Sequence, residues 1–95
     1  MKYTISVTEE IIKKGKRGGK CVCPLALAAR KVFPHAGNVM VAVGRVNGVV
    51  DWHLFVDQLK GQPDIVYRMS PPMIQFAMTF DRGEKVHPTD FDIEV

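Results

Sequence analysis

A chain of 95 residues with 46% hydrophobic and 24% charged side chains has the size and composition of one folded domain spanning 1–95, and is not that of a disordered chain. No apolar run approaches the roughly 20 residues that cross a bilayer, and the opening Met1-Lys2-Tyr3-Thr4-Ile5-Ser6 lacks the apolar stretch of a secretory signal. The net charge is only +3, but residues 11–50 hold eight Lys or Arg and no acid, while the rest hold five basic and ten acidic residues, a division that points to a polyanionic partner.

In chain order, Tyr3, Ile5 and Val7 alternate with Lys2, Thr4 and Ser6, the period of a half-buried strand. Thr8 is an N-cap residue, and Glu9 and Glu10 then occupy the first turn of a short helix, where the helix dipole favours anions. That helix carries Ile11 and Ile12 and should stop at Gly15. Residues 15–22 read as a loop. Pro24 suits the first position of a second helix, with Cys23 near its N-cap. Leu25, Ala28, Ala29 and Val32 share one face of it, Leu27 widens that face, and Pro34 ends it.

Residues 38–46 are β-rich. Val39, Val41 and Val43 fall on one face, Met40 and Ala42 on the other, and both faces should be covered. Asn47-Gly48 predicts a hairpin, because both residues tolerate positive φ. The return strand runs from Val49 through Trp52, Leu54 and Phe55 to Val56. A turn region over 57–64 precedes a strand at 65–69. Ser70-Pro71 starts a third helix with a stripe of Met73, Ile74, Ala77 and Phe80, closed by Gly83. The last strand alternates Phe91, Ile93 and Val95 with Asp90, Asp92 and Glu94, which gives it an acidic outer face. The order β-α-α-β-β-β-α-β predicts an α+β domain whose largely antiparallel sheet is packed by helices.

The strongest candidate site is the basic run between the first two helices. Lys13, Lys14, Lys16, Arg17 and Lys20 surround Gly18 and Gly19, so backbone N–H groups and cations could meet an anion together. A solvated surface loop is the competing reading. The run is not a P-loop, since three residues rather than four separate Gly15 from Gly19, and Cys21 follows Lys20. Arg30 and Lys31 would support the run if the second helix turns them outward. At the end of that helix, they would otherwise complement its dipole.

Cys21 and Cys23 are one residue apart, too close for a structural disulfide, which suits a reducing cytoplasm. Their spacing and the scattered His35, His53 and His87 do not make a zinc site, and no cofactor motif occurs. Cys23 at a helix start near Lys20 is either a thiol of lowered pKa or a small buried hydrophobe. A Cys23–His53 nucleophile pair requires the fold to join them, and no catalytic signature occurs. Trp52, Phe55 and Tyr67 could stack bases, anchor a partner or fill the core.

Two resemblances accompany these readings. Gly15-Lys16-Arg17-Gly18 resembles the GXXG loop with which KH domains clamp a nucleic-acid backbone between two helices. Here five residues separate Gly18 from Pro24, and Lys13 stands where that family has a glycine. Across both ends of the chain, Ile5-Ser6-Val7-Thr8-Glu9-Glu10, Cys23-Pro24-Leu25-Ala26-Leu27-Ala28 and Phe80-Asp81-Arg82-Gly83-Glu84, with Val86, Pro88, Phe91 and Ile93, resemble a family of small phage and prophage proteins. That resemblance implies a phage-like origin and lends no functional residue. The expectation is a non-enzymatic binding module that contacts nucleic acid or a phosphorylated nucleotide through the basic loop. The alternatives are a host-directed, anti-defence inhibitor acting by protein–protein contact and, third, a Cys/His enzyme. A homo-oligomer is a further expectation, because the acidic strand of one copy could meet the basic face of another.

Overall fold

The computed structural model describes residues 1–59 and 61–95. It contains β1 (Lys2–Val7), α1 (Glu9–Lys14), α2 (Pro24–Val32), β2 (Asn38–Val46), β3 (Val49–Asp57), β4 (Ile65–Arg68), α3 (Pro71–Asp81) and β5 (Thr89–Glu94). The fold is α+β with the predicted order. Of the predicted turn 57–64, residue 60 lies outside the described residues.

All strand pairs are antiparallel, but the strands divide into two sheets. β1 pairs with β5, and β2, β3 and β4 form the other in that order. The alternation of β1 and β5 decides what each face does. Ile5, Val7, Phe91 and Ile93 point into the core, while Thr4, Ser6, Asp90, Asp92 and Glu94 stay in water. On the outer face the Thr4 hydroxyl donates to Asp92 at 2.8 Å across the pair.

Local chemistry sets the helix ends. The Thr8 hydroxyl accepts the Ile11 amide at 3.2 Å, so α1 starts where a side-chain cap predicts. It stops at Gly15, whose amide still donates to the Ile11 carbonyl, but Gly15 is extended (φ −68°, ψ 150°) rather than left-handed. Glycine is needed there for space: a Cβ would lie 2.6 Å from Pro24 Cγ. α2 starts at Pro24 and buries Leu25, Ala26, Ala28 and Ala29, and the three alanines let it lie close to β1 and β2. Ala26 replaces the expected Val32 and Leu27 in the buried face; both of those are half-buried. The end of α2 rests on β1 through Phe33 against Tyr3, ring centroids 4.8 Å apart.

The hairpin pairs from Asn38 with Asp57 to Val46 with Val49. Its two turn residues take φ of 51° at Asn47 and 80° at Gly48, as that dipeptide predicts. Only the end near Asn38 is covered by helices. Val39, Val41, Leu54 and Val56 are buried, whereas Val43 is 56% and Val50 58% exposed. The expectation of two covered faces therefore fails toward the turn, where the helices do not reach. α3 buries Met73, Phe76 and Ala77. Phe76, absent from the predicted stripe, meets Phe91 of β5 edge-on at 5.7 Å, while Ile74 and Phe80 are half-buried. One core cluster joins both sheets through α2 and α3. Among the described residues, no helix is long and apolar enough to cross a membrane.

Candidate functional site

The basic run is pinned at several points. The Lys16 amide donates to the Val22 carbonyl at 2.9 Å, and the Cys23 amide to the Gly19 carbonyl at 2.9 Å. The Lys20 carbonyl accepts the Val41 amide at 2.8 Å, which ties the loop to the free edge of β2. Gly18 takes φ of 71°, a left-handed turn that suits glycine, and its amide donates to Asp81 Oδ1 at 3.3 Å. A carboxylate thus already holds an amide that a phosphate would use. Arg17 lies over α3's end: a Cβ on Gly83 would collide with Arg17 Nη1. It brings a cation to a helix C-terminus whose last turn has no basic residue, which the dipole favours.

The run parts into two sets. On one side, Lys14, Arg30 and Lys31 share a groove of about 430 Å³ with Glu10, Leu27 and Pro34. α2 turns Lys31 fully outward and Arg30 partly so. Lys14 Nζ is 2.8 Å from Glu10 Oε1, both side chains well exposed. The hydrogen bond from Lys14, its charge and that of Lys31 hold the Glu10 carboxyl below its usual value, and Glu10 raises the Lys14 ammonium. Glu10, from outside the run, is therefore an acid beside it, paired with Lys14 at the i,i+4 spacing of one helix. Lys13 and Lys16 are exposed.

On the other side, Gly18, Gly19 and Lys20 border a second cleft of about 370 Å³. Its floor is apolar. Cys23, Pro24 and Leu25 come from the start of α2, Val41 to Val43 and Trp52 from the hairpin, and Phe76, Ala77, Phe80 and Asp81 from α3. The half-buried Trp52 lines this cleft, while Phe55 lies on the opposite face of the sheet and Tyr67 packs against the core.

Sequence reasoning missed Asp81 and the cleft. The one local signal was an acid in the last turn of an apolar helix, where the dipole disfavours it and a partner is required.

Burial decides between the two readings of Cys23. The residue is 9% exposed, and desolvation pushes the thiol up despite the pull of the Ala26 and Leu25 amides, so Cys23 is the small buried hydrophobe and not the thiol of lowered pKa. Cys21 is half-buried, with Sγ 3.6 Å from Asn38 Oδ1. The fold does not join Cys23 to His53. His53 alternates with Trp52 and Leu54 along β3, so it projects from the other face of the sheet. There it is 3% exposed, and its Nδ1–H donates to the Asp51 carbonyl at 2.9 Å. Among the described residues, no three His, Cys, Asp or Glu side chains converge on a metal position. Compared with protein-family models, curated proteins and solved structures, the chain matches none.

Proposed function

We propose that the protein is a non-enzymatic binding module of phage or prophage kind. It acts in the bacterial cytoplasm and contacts a polyanion, either nucleic acid or a phosphorylated nucleotide. The contact runs through Lys13, Lys14, Lys16, Arg17 and Lys20, with Arg30 and Lys31 in support. The observation that carries this reading is the convergence of Lys14, Arg30 and Lys31 on one open groove, beside a loop held by backbone bonds at both ends. Cations from separate parts of the chain meet there without a matching number of acids. The Asp81 bond to Gly18 favours lysine and arginine side chains over a backbone nest as the anion contact.

Binding of random single strands and duplexes, measured at rising salt, tests the proposal. Neutralising three to five phosphates predicts a loss of affinity of roughly 20- to 500-fold between about 50 and about 200 mM salt. Lys14→Glu with Lys31→Glu should abolish the remaining binding. Absence of any shift at low salt overturns the proposal.

The acidic face of β5, with Asp90, Asp92 and Glu94 exposed in register, supports a second reading, a host-directed inhibitor that covers a basic protein surface. Capture of one such protein by the wild type, lost on charge reversal of Asp90 and Glu94, is its test.

A further inference from the structure

The cleft beside Gly18–Lys20 has features that phosphate contact alone does not require. Its volume of about 370 Å³ is within the range of small-molecule sites, which are mostly apolar with a few placed polar groups. Its aromatic walls are Trp52, Phe76 and Phe80, and the exposed Val43 forms its outer lip. Leaving such surface in water is unfavourable in proportion to its area. A site meant only for an anion has no use for it.

The polar groups stand at the loop side of this cleft. Lys20 and Asp81 border it there, the exposed Lys20 within reach as a cation and Asp81 as a carboxylate. The Gly18 amide holds Asp81 Oδ1, and the second oxygen can accept from an amino or imino N–H. A ligand that satisfies all these groups is flat, has π faces for the aromatic walls, carries N–H donors and bears an attached anion. Free phosphate ignores the floor, and a purely apolar molecule ignores Lys20 and Asp81.

We infer that this cleft seats a nucleobase, edge toward Asp81, with its attached phosphate on the Lys20 side of the loop. The inference rests on the polyanion reading above and narrows it. The base can come from a free nucleotide or from an unstacked position in a single strand. A duplex keeps its bases paired and stacked and cannot supply one without paying to extrude it.

Trp52 is the one tryptophan of the chain, so its emission reports on the cleft directly. Purified protein is titrated at low salt with each of the four ribonucleoside monophosphates, a mixed-sequence single strand, the corresponding duplex and inorganic phosphate. The expected result is a saturable change in Trp52 emission with a monophosphate or with the single strand, and none with phosphate or duplex. A response to a monophosphate identifies the free nucleotide as sufficient. A response to the single strand only assigns the base to a strand. Val43→Asp, placed on the exposed lip of β2, should lower the thermal midpoint by only a few degrees and weaken that binding, because its carboxylate breaks the apolar wall and repels the attached phosphate. Equal, salt-sensitive binding of single strand and duplex with constant Trp52 emission overturns the inference and leaves the polyanion reading standing. An equal response to inorganic phosphate also overturns it. Binding of no probe at all removes both.

Discussion

The two clefts that flank the basic run are close in size, about 370 and about 430 Å³, and differ in their aromatic content and in the charges that rim them. One has an apolar, aromatic floor with Lys20 and Asp81 beside it. The other has an aliphatic floor of Ile11, Leu27 and Pro34, rimmed by Lys14, Arg30 and Lys31 with Glu10 among them. Charge and shape are therefore separated by the width of α2. The basic groove can attract an anion of any form, since surface charge is indifferent to what carries it. The apolar cleft discriminates by shape, since close packing requires fit.

The substitution of largest expected effect attacks what the clefts share. Leu25 is 1% exposed and lies in the first turn of α2, whose two sides form both walls. Leu25→Ala should cost roughly 2–5 kcal/mol, read by chemical denaturation, and should weaken every binding activity together.

Next come two glycines that separate the clefts. Gly15→Ala drives a methyl against Pro24 and forces α1 away from α2. The overpacking should cost about 1–3 kcal/mol, and the damage should fall more on the basic groove than on the apolar cleft, which it reaches only through Pro24. Gly83→Ala demands φ of +80° from alanine and expels Arg17 from the end of α3. It should cost about 1–2 kcal/mol and disturb the apolar cleft through Asp81 and Gly18. If both variants change both sites equally, the separation is false.

A third test reads how dry the apolar cleft is. Burial raises the Cys23 thiol above its usual value. The folded state then holds its proton at a pH where the unfolded chain has lost it. The contribution to stability is constant below the ordinary thiol range, about 8.5, and is lost as pH rises through the folded value. Wild type should therefore lose more stability than Cys23→Ala between about pH 7.5 and about pH 10. In the folded protein, Cys21 should alkylate before Cys23.

The smallest expected effect is on the charged side alone. Glu10→Gln removes an exposed ion pair, and such pairs contribute little to stability. The denaturation midpoint should stay put while affinity for single strands at low salt rises roughly two- to fivefold.

What could be read from the sequence was what neighbours decide. Thr8, Pro24, Asn47-Gly48 and Pro71 each impose a local backbone, and the alternation of β1 and β5 assigns their faces without knowing what covers them. Long-range matters were hidden. Nothing in the hairpin pattern says that the helices stop short of Val43, or that β1 and β5 leave the other strands to form a separate sheet. Gly15 was recognised as a stop but for a local reason, whereas its cause is Pro24 in the next helix. The cations of the candidate site were legible because Lys and Arg cluster in sequence. Of the acids that answer them, Glu10 is local, one turn before Lys14, whereas Asp81 on a distant helix was not legible, because only folding brings it to Gly18. Burial likewise decided Cys23 against the helix-start effect on its thiol.

The pairing of β1 with β5 has a consequence for how the protein is made. Thr4 and Asp92, hydrogen-bonded across that sheet, are 88 residues apart, and β1 can only finish its ladder once β5 has been synthesised. At roughly 5–20 residues per second the first strand waits several seconds with its backbone edge unpaired, while the β2–β3 hairpin, closed by its own turn, can form as soon as it emerges. A nascent chain arrested before residue 89 should therefore expose its first strand to chaperones and proteases, and release should coincide with the arrival of the acidic strand that hides it.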